Sequence, residues 1–189
     1  MLYKISEFEI ENMNISNSKD ATYLQVDKQP FEIQTDWITL GKYPLPSKKF
    51  ISDDAKSLNL TAPTNRKDNN YMVLSAIDTN LSKLKILPNK NYHPLVSVKD
   101  GANYFLKFKL YLNTGLFDKD KSRISITSLL DFYKYLKEDT TIKIIFNFSK
   151  MWAMGKEYGF SMSVKRILLK DEVKLLPEPS LSFLEDSEN

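Results

Sequence analysis

Apolar and polar residues alternate along several stretches of the chain with the period of two that β-strands produce. The clearest stretch is residues 103–113, NYFLKFKLYLN, which predicts a strand with two chemically different faces. Its apolar face consists of Leu106, Phe108, Leu110 and Leu112. Its opposite face carries two cations and an aromatic ring, contributed by Lys107, Lys109 and Tyr111.

Strand-forming residues recur in other segments, with turn residues between them. Residues 31–40 predict a strand whose alternation breaks midway, as at a β-bulge. The other predicted strands cover residues 56–62, 124–127, 141–152 and 158–169, the last two being joined by a turn at 153–157. In this closing pair we expect the turn to project outward and four residues to fill the interior: Phe146, Phe148, Met162 and Val164.

Two segments have helical spacing instead. In the first, residues 71–87, the apolar residues that recur at helical intervals are Leu74, Ile77, Leu81 and Leu84. The second, residues 128–139, is amphipathic, and we expect Thr127 or Ser128 to cap it. Because this helix comes just before the last two strands, the order of elements fits a closed OB-type barrel. We therefore predict a mainly β protein with two helices, folded as an OB-like Greek-key barrel.

The length of the chain, 189 residues, fits a single domain with an appended tail. We predict one OB-like domain over residues 1–170, in which residues 1–30 form an N-terminal extension or an extra strand. Residues 171–189 are expected to be a flexible, disordered tail. The sequence has no apolar run of roughly 18 residues, no signal-peptide pattern and no cysteine. These features favour a non-secreted protein of the cytoplasm or nucleus of a host cell, without a membrane partner.

Charge is distributed unevenly along the chain. Residues 171–189 contain six acidic side chains and one lysine, a charge of −5, so the preceding 170 residues carry +8 of the total of +3. A basic body with an acidic tail is expected if the tail docks on a basic surface of its own chain or of a partner. A tail that only increases solubility is the plainer interpretation.

Groups that could support catalysis are sparse in the sequence. His93 is the only histidine, and no segment has the spacing of a phosphate-binding loop. Acidic loop residues such as Asp118 and Asp120 leave a metal-dependent nuclease as an alternative hypothesis. We predict that the protein is not an enzyme and has no catalytic residue, metal or cofactor.

Binding of single-stranded nucleic acid requires cations that track the phosphates and flat side chains on which unstacked bases lie. Both kinds of residue occur on the predicted strand 103–113, in the loop after residue 40 and near the closing turn. A solvated sheet face would show the same alternation, and the two tryptophans could equally belong to the core. The predicted nucleic-acid-binding residues are Trp37, Tyr43, Lys48, Lys49, Arg66, Lys67, Lys107, Lys109, Tyr111, Lys150, Trp152, Lys156, Tyr158, Lys165 and Arg166.

The sequence resembles the OB-fold single-stranded DNA-binding proteins of DNA phages, large DNA viruses and related linear plasmids. The stretches that carry the resemblance are FEIQTDWITL, YFLKFKLYLN, SLLDFYKYLK and KMWAMGKEYGFSMSVKRILL. It implies a closing hairpin that binds DNA through Lys150, Trp152, Tyr158 and Gly159. It also implies an acidic tail that recruits replication proteins, here Phe183, Leu184, Glu185, Asp186 and Glu188. The tail departs from the family pattern because it does not end on its aromatic residue and is less densely acidic.

The resemblance and the residue pattern together predict a sequence-tolerant single-stranded DNA-binding protein. Its expected role is to protect single-stranded DNA during replication or recombination of a virus-like genome. RNA is a further candidate ligand, and the oligomeric state stays open. The alternative hypothesis is a viral structural or protein-interaction module that does not bind nucleic acid.

Overall fold

A computed structural model describes residues 1–19, 21–52 and 54–171. The acidic tail predicted over residues 171–189 lies outside the described residues, apart from Asp171. The helices are α1 (Asn69–Leu84) and α2 (Phe132–Tyr135). The strands are β1 (Leu2–Lys4), β2 (Met13–Asn17), β3 (Thr22–Val26), β4 (Glu32–Gln34), β5 (Ile38–Thr39), β6 (Ser57–Thr64), β7 (Asn91–Tyr92), β8 (Val96–Lys99), β9 (Asn103–Tyr111), β10 (Gly115–Phe117), β11 (Arg123–Ile124), β12 (Thr141–Phe148), β13 (Trp152–Met154), β14 (Glu157–Gly159) and β15 (Met162–Leu169).

Five strand positions form a barrel with the connectivity of the OB fold. Strand β6 pairs antiparallel with β9, and β9 pairs in parallel with β15. Strand β15 pairs antiparallel with β12, which in turn pairs antiparallel with both β4 and β5. Because β5 also lies against β6, the order returns to its starting strand. The predicted OB-like Greek-key barrel, mainly β with two helices, is confirmed.

The period-two alternation of the longest strands builds the interior of the barrel. Leu106, Phe108 and Leu110 of β9 are fully buried. The ring of Phe146 on β12 meets that of Phe108 edge-on, with centroids 5.3 Å apart. Burial of each such side chain stabilises the fold by about 1.5–3 kcal/mol. The assignment of Leu112 to this face is wrong: β9 ends at Tyr111, and Leu112 follows it in a turn with 51% of its surface exposed.

The predicted break in the strand at residues 31–40 is confirmed, since the segment forms the separate strands β4 and β5. Thr35 lies between them and is buried. Its hydroxyl oxygen accepts a hydrogen bond from the backbone N–H of Ile144 at 3.0 Å, and its own N–H donates to the Ile144 carbonyl at 2.9 Å. The threonine side chain thus replaces a backbone acceptor where the ladder is interrupted.

The closing strands are shorter than predicted. Strand β12 ends at Phe148 and β15 begins at Met162. The chain between them forms the hairpin β13–β14, which leaves the barrel and joins β7 in a separate three-stranded sheet. Phe146, Phe148, Met162 and Val164 are all buried, as the alternation predicts.

The first predicted helix is confirmed as α1, although Leu84 in its last turn is exposed rather than packed. The second is mostly wrong. Only a 3₁₀ turn, Leu129–Asp131, and the short α2 form there, with Ser128 as the N-cap. The chain then turns toward β12, because Phe132 and Leu136 are both buried in the core. The predicted strand at 124–127 is likewise reduced to the two residues of β11.

Residues 1–30 add structure around the barrel. Strand β1 pairs in parallel with β4, and β2 and β3 form a hairpin of their own. The ring of Phe8 stacks on that of Phe31, with centroids 5.4 Å apart. Phe31 in turn meets Phe148 of β12 at 5.8 Å, so aromatic packing joins this segment to the barrel.

Candidate nucleic-acid interface

The outward face of β6 and β9 is polar and basic. In the register of this antiparallel pair, Asn59 lies opposite Lys109, and Thr61 lies opposite Lys107. The inward neighbours of all four residues belong to the buried core. Two cations predicted from the alternation of β9 are therefore presented side by side on a rigid sheet.

A depression lies on each side of this face. The first, of about 520 Å³, lies under the β13–β14 hairpin and is lined by Lys107, Lys109, Trp152 and Met154. The second, of about 930 Å³, lies under the loop that joins β5 to β6 and is lined by Lys107, Thr61, Tyr43, Tyr133 and Lys137. Since Lys107 lines both, the two depressions and the face between them form one channel, which we call the central groove.

The central groove is strongly basic. The second depression contains Lys42, Lys107 and Lys137 against a single acid, Glu138. The first contains Lys107 and Lys109, and none of the residues that line it is acidic. Such a concentration of one charge on a concave surface attracts a polyanion and speeds its association.

Trp152 forms one wall of the groove, and the hairpin sequence explains its position. Gly155 has a φ of +54°, which a glycine adopts freely, and it closes the turn between β13 and β14. The Trp152 ring is half-buried, with its centroid 5.5 Å from that of His93. Gly159 is its cross-strand partner, and a Cβ at this position would lie 2.9 Å from the His93 carbonyl oxygen and 3.0 Å from Trp152 Cζ2.

Replacing Gly159 by alanine is expected to push Trp152 away from the His93 loop. The backbone carbonyl of His93 cannot shift easily to make room for the added Cβ. We therefore expect the free energy of unfolding to fall by about 1–3 kcal/mol. Urea denaturation measures this loss. The matched control is Gly41→Ala, where the added Cβ would make only an ordinary contact with Pro63 at 3.6 Å. Equal stability of the two variants would contradict the proposed close fit.

The loop beneath Trp152 is fixed from helix α1. Asp78 Oδ1 accepts hydrogen bonds from the Tyr92 hydroxyl at 2.7 Å and the Leu95 N–H at 2.8 Å. Asp78 Oδ2 accepts one from the Val96 N–H at 3.0 Å. Burial raises the pKa of the Asp78 carboxyl, and these three hydrogen bonds oppose that rise. A partly buried acid on α1 therefore holds the segment that carries His93, against which Trp152 rests.

Tyr43 forms the opposite wall. It is 77% exposed, and its φ of +59° is unusual for an aromatic residue. Lys42 Nζ lies 5.3 Å from the centre of the Tyr43 ring. The backbone is pinned close by, because the Pro44 carbonyl accepts a hydrogen bond from the Thr61 N–H at 2.8 Å. An exposed ring on a strained but anchored backbone is available for stacking.

Of the fifteen predicted binding residues, four line the central groove: Tyr43, Lys107, Lys109 and Trp152. Five others lie on the loops or strand that border it. Lys48 Nζ is 5.3 Å from the ring of Tyr133, and Lys49 is next to it. The remaining three are Tyr111 at the end of β9, Lys150 before β13 and Lys156 in the hairpin turn.

Five predicted residues lie outside the groove. Trp37 is 40% exposed and lines a different depression together with Lys67. Arg66 is held by Tyr104, whose hydroxyl accepts a 2.6 Å hydrogen bond from Arg66 Nε. The other two, Lys165 and Arg166, are exposed at the irregularity where β15 pairs with β12.

The prediction that Tyr158 offers a stacking face is wrong, because only 1% of its surface is exposed. In an isolated hairpin its side chain could reach solvent. Strand β14, however, is the middle strand of its sheet, and it pairs with β7 through Tyr92. The Tyr158 and Tyr92 rings lie 5.7 Å apart, which covers the face that a base would need.

Sequence reasoning missed several residues of the groove. Asn59 and Thr61 could have been found, since they form the polar face of the predicted strand 56–62. Met154, beside the hairpin turn, is 75% exposed, and nothing in the sequence pattern marked it as a binding residue. Tyr133 and Lys137 follow from how the short α2 is placed beside the β5–β6 loop.

Asp118, the residue offered for a nuclease, has a local structural role. Its Oδ1 accepts hydrogen bonds from the N–H groups of Asp120 and Ser122, at 3.0 and 2.8 Å, which closes the β10–β11 turn. In the described part of the chain, no three histidine, aspartate or glutamate side chains are grouped to hold a metal ion.

No helix in the described ranges has the length and apolar character needed to cross a membrane.

No protein-family model matches the sequence, and the comparison with curated proteins gives no match. Solved structures do match. The single-stranded DNA-binding protein of bacteriophage Enc34 has a TM-score of 0.52 and 8% identity, over 89% of this chain and 95% of that one. The same protein in complex with single-stranded DNA gives 0.51 and 8%, over 86% and 97%. For gp2.5, a single-stranded DNA-binding protein encoded by bacteriophage T7, the TM-score is 0.49 at 10% identity, over 82% and 98%.

The two Enc34 comparisons show that this chain shares the fold of that phage protein. At 8% identity the likeness concerns the fold alone. The fold expected from the family resemblance is therefore confirmed. What the groove binds must therefore be argued from its own residues.

Proposed function

We propose that this protein binds single-stranded DNA in the central groove and protects it during replication or recombination of a virus-like genome. The observation that carries the proposal is the placement of Lys107 and Lys109 on a rigid sheet between the exposed ring of Tyr43 and the half-buried ring of Trp152. Cations between aromatic walls match alternating phosphates and unstacked bases. The shared fold with the Enc34 protein, which has been solved with single-stranded DNA, supports the same reading.

The residues of the groove favour binding without sequence preference. No arginine is among the residues that line either depression, although arginine makes the commonest base-specific contact. Lysine ammonium groups instead act as point charges toward phosphates, and aromatic rings accept any base. None of these groups requires a deoxyribose, so RNA is included in the test below.

Non-catalytic binding is the part of the proposal that separates it from the nuclease hypothesis. The hydrogen bonds of Asp118 assign it a turn-closing role, and the groove contains lysines rather than grouped acids. We expect no cleavage of a labelled strand when magnesium is added.

The acidic tail is proposed to recruit replication proteins, through Phe183 and Leu184 as apolar anchors and Glu185, Asp186 and Glu188 as charges. The charge of −5 against a body of +8 supports this proposal. The same charge difference lets the tail compete with DNA for a basic surface of its own chain.

A titration of the full chain with oligo-dT at low salt, followed by tryptophan fluorescence and by retention of the labelled strand, tests the proposed function. Quenching with retention is expected, and oligo-U in a parallel titration measures the preference for DNA. Absence of both signals would favour a structural or protein-interaction module instead. A chain that lacks residues 177–189 is expected to bind DNA equally or more tightly. Weaker binding would contradict competition by the tail.

A further inference from the structure

A second surface that combines rings and cations lies on the outer side of β12, β15, β10 and β11. Lys143 of β12 pairs with Leu168 of β15, and Leu168 pairs with Phe117 of β10. Phe117 pairs in turn with Arg123 of β11. These side chains face away from the core, since the residues next to them, including Ile142, Ile144, Leu116, Ile167 and Leu169, are buried.

Trp37 continues this row beyond Lys143. It lies between β4 and β5, both of which pair with β12, and Lys143 Nζ is 4.6 Å from the centre of its ring. The order across the sheet is therefore ring, cation, aliphatic side chain, ring and cation. We call this set the outer row: Trp37, Lys143, Leu168, Phe117 and Arg123.

The Phe117 ring lies over the sheet because its neighbour is a glycine. A Cβ at Gly115 would be 2.8 Å from Phe117 Cε2, so no other residue leaves room for the ring in this place. Gly115 pairs with Arg166, and Arg166 lines the same depression as Phe117. One face of Phe117 thus rests on the backbone, and the sheet supports the ring for a contact from outside.

Around Phe117 the charges of this surface have one sign. A depression of about 220 Å³ is lined by Lys121, Lys143 and Arg166 together with Phe117 and Leu168. No acid is among its lining residues in the described part of the chain. Asp118, the acid next to Phe117, already accepts two backbone hydrogen bonds. A polyanion with flat, apolar bases matches this combination better than an aliphatic protein surface would.

The outer row is connected to the central groove along β6. Thr61 lines the groove, and Pro63 lies two residues further along the same strand. Pro63 lines the depression that contains Trp37, together with Thr39 and Lys67. The two acids of this depression, Asp36 and Asp68, accept hydrogen bonds from the Asn69 side chain at 2.8 Å and the Asn65 N–H at 2.9 Å. An extended strand that leaves the groove along β6 therefore meets Trp37 first and then the rest of the outer row.

We propose that the outer row is a second contact surface for single-stranded DNA, engaged by strands long enough to extend beyond the central groove. This inference rests on the proposed function of the groove. It explains why Trp37, Lys67 and Arg166 have exposed positions that the groove does not use. It assigns to the chain a longer binding site than the groove alone provides.

Each tryptophan can report on one surface. In Trp152→Phe the only tryptophan is Trp37, and in Trp37→Phe the only one is Trp152. Each variant is titrated with oligo-dT of about 8 and about 30 nucleotides, lengths chosen because a single OB fold covers roughly 4–16. Protein is kept in excess so that short strands occupy the stronger site, and retention of labelled DNA measures occupancy independently.

We expect Trp152 to be quenched by both lengths and Trp37 by the long strand only. Quenching of Trp37 by the short strand as well would overturn a separate second surface, because both rings would then belong to one site. Unchanged Trp37 emission with the long strand bound would also overturn it. If Trp152→Phe and Trp37→Phe both retain no DNA, the proposed function itself fails, which is a distinguishable result.

Charge removal gives a second test. The double variant Lys143→Gln/Arg166→Gln is expected to reduce the salt slope for the long strand by about 1.4, at roughly 0.7 per phosphate contact. The slope for the short strand is expected to stay the same. The control is Lys19→Gln/Lys83→Gln, two exposed lysines on the β2–β3 turn and on α1. Equal slopes for the double variant, the control and the original chain would overturn the proposal and leave this surface to a protein partner.

Discussion

Replacing Lys107 and Lys109 together by glutamate is expected to reduce the affinity for oligo-dT by at least about a hundredfold. Hydrogen bonds to a charged group contribute about 1.5–3 kcal/mol each, so the loss of two corresponds to that factor or more. The two lysines alternate on one face of β9, and Lys107 lines both halves of the groove. The new carboxylates would also repel the phosphates of any strand that lies there.

The salt dependence of binding identifies the cause of this loss. If the original chain neutralises about four phosphates, log K falls against log salt with a slope of roughly −3. The milder double variant Lys107→Gln/Lys109→Gln should have a slope closer to −1.4. Both side chains point away from the core, so urea denaturation should show an unchanged free energy of unfolding. Lys19→Glu/Lys83→Glu is the matched charge-reversal control, and an equal loss of affinity in that control would show a non-specific effect of net charge.

Trp152→Ala is expected to weaken binding of oligo-dT by about 5- to 150-fold, the range that corresponds to 1–3 kcal/mol for one stacked base. Trp152→Phe retains a smaller ring and should fall between the alanine variant and the original chain. Because stacking releases no counterions, the salt slope should not change in either variant. Fluorescence quenching by short strands should disappear in both, since Trp37 lies outside the groove.

Trp152 also packs against His93, so its removal has a structural component. The free energy of unfolding, measured on the same variants, separates the two effects. A variant that loses stability while retaining full affinity would assign Trp152 to packing alone. A change in salt slope would indicate that the hairpin moved and carried Lys150 or Lys156 away from the strand.

The barrel could be predicted from the sequence because alternation with a period of two indicates which residues of a strand face inward. This holds for β12 and for β9 from Leu106 to Leu110, where each inward position is apolar and buried. It fails where a strand ends or gains an unexpected neighbour. Leu112 continues the pattern of β9 but lies past its end, and Tyr158 is buried by β7, which is more than sixty residues earlier in the chain.

The assembly of the groove depended on contacts that local patterns do not contain. Tyr43 and Trp152 are 109 residues apart in the sequence, yet they form opposite walls of one channel. Their side-chain types suggested binding, but only the pairing of β6, β9 and β15 places them on either side of Lys107. The outer row has the same origin, since Trp37 and Lys143 meet through the pairing of β5 with β12.

The parallel pairing of β9 with β15 also affects how this molecule acquires its structure. Strand β9 forms the floor of the groove, but Phe108 and Lys109 gain their partners Met162 and Ser163 only when the last described strand is in place. Pairings across such long sequence separations slow folding, because the chain loses the entropy of loop closure before the stabilising contacts form. Strand β8 pairs with β9 as far as Leu106, so until β15 arrives the rest of that edge is unpaired and open to association with other chains. Nascent or refolding molecules should therefore become competent to bind DNA late, in the same step that covers this exposed part of the β9 edge.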